Sequence, residues 1–181
     1  MPRIPYPENL SESVRASLGA SPPNVSRMMA GATEAVYNGF GKFNGALLVS
    51  SELPATLREL AILRVGYLSG ASYEIFQHES LALHVGLTQV QIDAIRAGDR
   101  SSSALDEAQL AVLDFVDDVV ENVRASDETL AAVRSHLNDT KVLDLLLTIG
   151  TYMMVSRFLE TTGVEIDPEP VDWNTFFPKK G

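Results

Sequence analysis

Residues 57–87 read LRELAILRVGYLSGASYEIFQHESLALHVGL, and this stretch decides the fold. It holds two apolar-rich runs, and neither shows the period of two that marks a half-buried strand. Pro54 precedes the first run, and Gly70 and Gly86 follow the two runs, as expected for one helix start and two helix ends. The stretch therefore predicts two helices joined by a tight turn.

The same pattern extends outward in both directions. Thr88 and Gln91 have the spacing of a capping box, in which each side chain accepts a hydrogen bond from the backbone N–H of the other residue at the first turn of a helix. Apolar residues recur at helical spacing after Asp106, and the polar face of that predicted helix is acidic. With no strand pattern elsewhere, the sequence predicts an all-α helical bundle. The predicted helices lie near 11–18, within 25–48, and near 57–68, 72–84, 89–97, 106–124, 126–137 and 140–161.

One domain accounts for most of the 181 residues, a length that can bury a sufficient core. Prolines are concentrated near the start, and Pro168 and Pro170 are expected to end regular structure near the other terminus. We therefore divide the chain into a proline-rich N-terminal arm (1–24), a helical domain (25–167) and a C-terminal tail (168–181).

The composition excludes several classes of function. A formal net charge of -10 repels phosphate backbones and anionic lipids, so neither nucleic acid nor membrane is an expected partner. The chain has no cysteine, which excludes disulfides, thiolate nucleophiles and CxxC redox motifs. The start, MPRIPYPENL, carries no apolar leader segment, and uninterrupted apolar runs fall short of the ~20 residues that a membrane span needs. We expect a cytoplasmic protein.

Glu74 and His78 are four residues apart, so they share one face of the predicted helix, with Tyr73 and Gln77 beside them. A carboxylate next to an imidazole fixes its tautomer and raises its basicity, as proton transfer requires. Two plainer interpretations stay open. Such a pair is often a surface helix pair, and Tyr73 could be a core aromatic residue whose hydroxyl reaches a backbone carbonyl.

Glu59 has largely apolar neighbours, which predicts that its helix is mostly buried and that its carboxylate needs a partner. Antiparallel packing of the two helices across their short turn would bring Glu59 to His78. Alternatively, Glu59 could cancel the charge of Arg58 or Arg64.

Three other basic residues are candidate substrate ligands. Arg64 and Arg157 could each hold a carboxylate, although a structural ion pair is an equal alternative for Arg157. His84 is a candidate as well, but it could simply cover a helix end. We expect no metal, because di-iron bundles use paired Glu-x-x-His repeats and this chain has one Glu-x-x-x-His sequence.

These motifs resemble the carboxymuconolactone decarboxylase and alkylhydroperoxidase-D superfamily over residues 53–167. The resemblance implies a helical bundle of the alkylhydroperoxidase-D-like type that assembles as a trimer or hexamer. The motifs that carry it are Arg58-Glu59-Leu60, Tyr73-Glu74-x-x-x-His78, Ala82-x-x-x-Gly86 and Tyr152-Met153-x-x-x-Arg157.

The redox branch of that superfamily carries CxxC where this chain has Ala71 and Glu74, so dithiol peroxidase activity is not expected. The resemblance instead implies a cofactor-independent decarboxylase, another lyase or an isomerase, acting on a small lactone or ring-cleavage acid. The alternative is a non-catalytic oligomer that binds a small apolar acid or a protein.

The resemblance also implies roles for the candidate residues. His78 would donate the proton, and Glu74 would orient it. Glu59 would relay protons or set the charge of His78, and Tyr73 would hydrogen-bond an enolate oxygen. Either Arg64 or Arg157 would hold a substrate carboxylate.

Overall fold

In the computed structural model, which describes residues 1–177, every regular element is helical. The all-α prediction is confirmed for this part of the chain. The helices are α1 (Glu12–Leu18), α2 (Asn24–Met29), α3 (Glu34–Val49), α4 (Ala55–Ser69), α5 (Ser72–Val85), α6 (Gln89–Ala97), α7 (Glu107–Asn122), α8 (Asp127–Arg134) and α9 (Asp139–Thr162), followed by a 3₁₀ turn at Trp173–Thr175.

Helix α4 is the centre of the bundle, and α5, α6, α7 and α9 pack around it. Its apolar residues cover the whole circumference rather than one stripe, which is typical of a helix enclosed by others. Two charged residues, Arg58 and Glu59, are buried on it as well. Its buried residues are Leu57, Arg58, Glu59, Leu60, Ala61, Ile62, Leu63, Val65 and Gly66.

The turn between α4 and α5 sets the two helices side by side. Gly70 ends α4 at φ 63°, in the left-handed region that favours glycine. Helix α5 packs against α4 at Gly66, where a Cβ would stand 3.4 Å from Ile75 Cγ1, an ordinary contact distance. The predicted antiparallel pair therefore forms, and side chains of α5 reach into the core.

Side-chain caps fix most of the remaining helix starts. Capping boxes begin α6 at Thr88 and α7 at Asp106, and the first of these was expected from the sequence. Helix α8 ends at Arg134, three residues before the predicted end at 137. The reason lies in the next helix: Asn138 caps α9 in an extended conformation, so the chain must leave helical geometry before it.

Helix α9 is long and apolar enough to cross a membrane by length and composition, with mean hydropathy 1.5 over a window that is 50% buried inside the protein. A core helix of a soluble protein passes the same test. Here one side of α9 packs on α4, and Leu143, Leu147 and Met154 are exposed on the other.

The two ends of the chain lie against each other. The backbone N–H of Arg3 donates to the Thr162 carbonyl at 2.7 Å, and the N–H of Asn24 donates to Asp167 Oδ1 at 3.0 Å. Regular structure does not stop at the prolines, because the Asp172 side chain caps a 3₁₀ turn after Pro170. Residues 178–181 of the predicted tail lie outside the described residues. The predicted domain boundaries stay predictions.

Candidate acid–base site

His78 and Glu59 meet between α5 and α4. His78 Nδ1 lies 2.7 Å from Glu59 Oε2, and both side chains are buried. Because a carboxylate only accepts, Nδ1 carries the proton of this hydrogen bond and Nε2 is the nitrogen that faces away. The expected convergence of the two side chains is therefore present.

Arg58 holds the other oxygen of Glu59. Its Nε donates to Glu59 Oε1 at 3.0 Å, and the two side chains are 5% and 0% exposed. Its Nη2 has no hydrogen-bond partner within the described residues, and the guanidinium lies 5.4 Å from the centroid of the Phe177 ring. Glu59 is thus an anion held from both sides, which is how a protein keeps a charge buried.

Glu74 lies on the free side of the imidazole. Its Oε2 is 3.4 Å from His78 Nε2 and makes no hydrogen bond. Burial raises the pKa of Glu74; the charge of His78 opposes that rise and the charge of Glu59 adds to it. Burial lowers the pKa of His78, but attraction to Glu59, the hydrogen bond to Glu59 and attraction to Glu74 outweigh burial and raise it above 6.5. The two groups therefore compete for a proton at one position.

A cavity of about 630 Å³ opens onto this pair. We call the segments 23–49 and 163–177, which close it opposite α5 and α9, the cover. The lining is mostly apolar, as in small-molecule sites. The residues that line it are Ser17, Leu18, Pro23, Val25, Ser26, Met29, Tyr37, Asn38, Phe40, Gly41, Lys42, Asn44, Gly45, Leu48, Val49, Tyr73, Glu74, Gln77, His78, Tyr152, Val155, Val171, Trp173, Phe176 and Phe177.

Three lining residues were not expected from the sequence as site residues. Tyr152 meets the His78 ring edge-on, with centroids 4.9 Å apart, and Trp173 lies 6.1 Å from it on the cover. The buried Trp173 Nε1 and Asn44 Oδ1 have no hydrogen-bond partner among residues 1–177. Tyr152 belongs to the α9 motif of the resemblance, which was the available signal for it. No comparable sequence motif indicated Asn44 or Trp173.

The Tyr152 hydroxyl stays protonated at neutral pH. Burial is the largest cause that raises its pKa well above the ordinary value, and the charges of Glu74 and Glu59 add to the rise. Arg58 and Asn44 oppose the rise without cancelling it. Tyr152 is consequently an uncharged O–H donor at the cavity wall.

Tyr73 lines the cavity, but its hydroxyl is hydrogen-bonded to residues of the cover. The hydroxyl donates to Asp167 Oδ2 and accepts from the Val25 backbone N–H at 3.3 Å. Burial and the bond to Asp167 raise the pKa of Tyr73. Gln77 binds the cover too, through Nε2 to Asp167 Oδ2 at 2.9 Å and through Oε1 to the Val171 N–H at 2.9 Å. The expected contact from Tyr73 to an enolate would compete with this anchor.

Arg64 lies away from the cavity. It donates to Asp117 Oδ2 at 2.7 Å and to the Ile95 carbonyl at 3.1 Å. Its guanidinium rests against Gly98, where a Cβ would lie 2.8 Å from Arg64 Nη2. A positive φ of 64° at this residue favours glycine as well. Arg64 therefore joins α4 to α6 and α7 and does not hold a group in the cavity.

Arg157 and His84 are outside the cavity too. Arg157 is exposed and donates to the Met153 carbonyl at 2.7 Å. His84 Nε2 lies 2.6 Å from the Phe177 carbonyl oxygen, near the end of α5. The one Lys or Arg residue on the described lining is Lys42, which is exposed. The structure thus gathers Glu59, Glu74, His78 and Tyr73, and leaves out the three predicted substrate ligands.

Residues 34–118 match the carboxymuconolactone decarboxylase family. The predicted resemblance to this family is confirmed over the matched segment. The matched segment runs from the start of α3 into α7 and includes Glu59, Glu74 and His78. Tyr152 and Trp173 lie beyond it. No curated protein matches the chain in sequence.

Solved structures share the fold at low identity. An alkylhydroperoxidase AhpD core protein from Ralstonia eutropha, described as an uncharacterized peroxidase-related protein, is 18% identical with a TM-score of 0.80, over 92% of this chain and 93% of that one. A peroxidase-related protein from Silicibacter is 19% identical with a TM-score of 0.79, over 92% of this chain and 91% of that one. The debrominase Bmp8, in complex with 2,3,4-tribromopyrrole, is 17% identical with a TM-score of 0.72, over 87% and 85%. The alkylhydroperoxidase-D-like bundle is confirmed.

Proposed function

We propose that this carboxymuconolactone decarboxylase family protein is a cofactor-independent acid–base enzyme, a decarboxylase, other lyase or isomerase, acting on a small lactone or ring-cleavage acid. The observation that carries the proposal is the buried imidazole of His78, held by Glu59 on one nitrogen and facing Glu74 with the other at the wall of an apolar cavity. A general base or acid needs this combination of fixed tautomer, raised basicity and access to the substrate.

The mobile proton lies between His78 Nε2 and Glu74. Glu59 is bound by Arg58 and by the Nδ1–H of His78, so it sets the charge and orientation of the ring. This differs from the role first expected, in which Glu74 orients His78. In the proposed arrangement the proton is either on Nε2, facing a carboxylate, or on Glu74, facing a neutral ring.

The reaction step is a proton transfer at a carbon next to a carbonyl group. In an isomerisation, the base of the pair takes the proton, the C–H electron pair moves into an enolate, and the pair delivers a proton to another carbon after exchange with solvent. In a decarboxylation, the C–C bond breaks with release of carbon dioxide, and the pair protonates the carbon of the resulting dienolate. Both routes balance without an external oxidant or reductant.

Neutral donors would stabilise the enolate oxygen. The Tyr152 hydroxyl stays protonated and the Trp173 Nε1–H lacks a partner, and both residues line the cavity with His78. Hydrogen bonds to a developing oxyanion in a site that excludes water are worth more than in solution. We assign this role to Tyr152 and Trp173 rather than to Tyr73, whose hydroxyl proton goes to Asp167.

The test is hydrogen–deuterium exchange, which detects proton abstraction whether or not a product accumulates. The purified protein is incubated in D₂O with lactones that include 4-carboxymuconolactone and its methyl ester, and NMR follows deuterium incorporation and carbon dioxide loss. We expect turnover that falls at least about a hundredfold in His78→Gln, the lower range for general acid–base catalysis. His136→Gln, a change at an exposed histidine, is the matched control. Equal rates in the two variants would contradict the proposal.

The alternatives differ in what they need from His78. A binding module without activity requires no buried imidazole, and an imidazole turned to solvent would favour it; His78 is only 6% exposed. A peroxidase would need an external redox group, because the chain has no cysteine. We expect no consumption of peroxide with a thiol reductant.

We also propose that the chain forms a homo-oligomer, a trimer or hexamer, as the family resemblance suggests. Support comes from the outer face of α9, where Leu143, Leu147 and Met154 are 60%, 49% and 44% exposed. They follow one another at helical spacing and form an apolar stripe, which is uncommon on a monomer surface. Light scattering of the wild type and of Leu147→Glu tests this, and a monomeric wild type would overturn it.

A further inference from the structure

Among residues 1–177, which the structure describes, the cavity contains an acid–base cluster but no buried lysine or arginine side chain on its lining. We propose that the ligand of this cavity is an uncharged, mostly apolar carbonyl compound of one or two rings, and that the site selects it against the corresponding carboxylate. This inference takes the position of the site from the proposed function and narrows its substrate class toward isomerisation of a neutral lactone or enone.

The first step is the charge of the buried cluster. Arg58 and Glu59 cancel each other through their direct ion pair. His78 Nε2 faces Glu74 Oε2 at 3.4 Å, and with the one proton that the proposed function assigns to them the pair is neutral whether that proton lies on Nε2 or on the carboxyl group. The cluster therefore has no surplus positive charge to offer to an incoming anion.

The second step is the position of the basic side chains outside this cluster. Arg64 is bound by Asp117, and Arg157 points away on α9. Arg58 is paired with Glu59 and is not on the lining; its guanidinium, whose Nη2 has no hydrogen-bond partner within the described residues, is separated from the cavity by the Phe177 ring that it lies over. Lys42 is on the lining but exposed, where water screens its charge. A carboxylate inside the cavity would be desolvated without a buried partner, which costs far more than desolvating an amide or an ester.

The third step is what the cavity offers instead. Its volume of about 630 Å³ is in the usual range for small-molecule sites. In the part of the chain that the structure describes, three lining residues carry a buried polar atom with no hydrogen-bond partner: the Trp173 Nε1 donor, the Asn44 Oδ1 acceptor and Glu74 Oε2. Buried polar atoms are nearly always paired, so these atoms indicate positions for ligand groups. A carbonyl oxygen fits the indole donor, and a hydroxyl or enol fits the amide acceptor.

The test compares two probes of equal shape and different charge, 3-phenylpropanamide and 3-phenylpropanoate, near pH 7.5, where the acid is ionised. Trp173 is the single tryptophan and lines the cavity, so its fluorescence reports binding directly. We expect the amide to bind at least about tenfold more tightly than the carboxylate, a modest fraction of the desolvation difference. Carboxylate binding that equals or exceeds amide binding overturns the inference, as does an amide that fails to bind.

Variants locate the cause of the preference. Glu74→Gln removes the acid of the neutral pair and leaves a cluster that gains positive charge when His78 is protonated, so the preference for the amide should shrink by about tenfold. Glu52→Gln makes the same chemical change at an exposed residue and should leave it unchanged. Lys42→Gln should also leave it unchanged within about twofold. A carboxylate that binds the wild type tightly and loses affinity in Lys42→Gln would assign recognition to an anion site at Lys42 and overturn the inference.

The binding test and the deuterium-exchange test can fail independently, so they distinguish the ligand class from the catalytic proposal. If the amide preference holds but no deuterium exchange occurs, the proposed catalysis is wrong and the ligand class stands. If exchange occurs on acids and the probes show no preference, the ligand class is wrong and the catalysis stands.

Discussion

The helix pair α4–α5 and the cover are built in different ways around the same cavity. In the pair, Glu59 and His78 are 0% and 6% exposed and are held by direct hydrogen bonds within the core. On the cover, Phe43, Val49 and Phe176 are 43%, 60% and 55% exposed, and α3 has few contacts with the bundle. The comparison indicates that the pair is the tightly packed part of the site and the cover its more exposed part. In the proposed function the pair performs the proton transfer and the cover selects the ligand.

The largest expected effect comes from breaking the pair itself. Glu59→Ala leaves the Arg58 guanidinium buried without its carboxylate and removes the partner of His78 Nδ1. Loss of one member of a buried ion pair costs about 3–5 kcal/mol, so urea unfolding should show a loss of that size or no folded protein. Glu52→Ala, a change at an exposed glutamate, should stay within about 0.5 kcal/mol. A loss below about 1 kcal/mol for Glu59→Ala would show that the pair is not the anchor described above.

Substitutions that loosen the cover should lower the free energy of unfolding less than Glu59→Ala does, and their structural effect should be confined to the cover. Tyr73→Phe removes a donor to Asp167 and an acceptor for the Val25 N–H, which should cost about 1–2 kcal/mol and shift Trp173 emission to the red. Tyr37→Phe, on a lining tyrosine of the cover, is the control.

Tyr73 and Asp167 should behave as one unit. The double variant Tyr73→Phe/Asp167→Asn should lose less stability than the sum of the single variants, because the two changes remove one shared contact. Additive losses, or an unchanged emission maximum in Tyr73→Phe, would argue that Tyr73 acts on the ligand and not on the cover.

These differences between the two regions limit what can be predicted from sequence. The convergence of Glu59 and His78 was predictable, because one short turn and helical spacing place both. Asn44, Tyr152 and Trp173 come from three distant parts of the chain and meet only through tertiary packing, which has no period in the sequence.

The arginines illustrate the same limit. Arg64 was a reasonable candidate for binding a carboxylate, but its partner Asp117 lies 53 positions later, on another helix. Charge type and local spacing could identify Arg64 as a cation that needs a partner. They could not tell a protein carboxylate from a substrate carboxylate, and that distinction decides the proposed ligand class.

A change of pH is expected to alter the free energy of unfolding less than the substitutions above. The pKa of His78 is raised in the folded protein above 6.5, so the protonated ring stabilises the fold below that pH. This stabilisation should disappear as the pH rises through the folded-state pKa. Glu74, whose pKa is also raised, contributes with the same sign at pH values above 4.5. Denaturant unfolding from pH 6 to 9 should show stability that falls with pH, with a weaker slope in His78→Gln. An unchanged slope in that variant would contradict this.

The smallest expected effect is at Arg157, which touches neither region. Its side chain is exposed and bonds only to a carbonyl of its own helix. Arg157→Ala should change the free energy of unfolding by less than about 0.5 kcal/mol and leave probe affinity unchanged. A clear loss of carboxylate binding in this variant would restore Arg157 as a substrate ligand.

The protonation state of His78 is the most direct test of the site as a whole. Nitrogen NMR of the imidazole rings, with His78 assigned by its loss in His78→Gln, reports the tautomer and the titration of each of the three histidines. We expect a protonated Nδ1 in a hydrogen bond to Glu59 at all pH values where the protein is folded, and a ring pKa above 6.5 for Nε2. A ring that titrates at or below 6.5, or that carries its neutral-form proton on Nε2, would contradict the account.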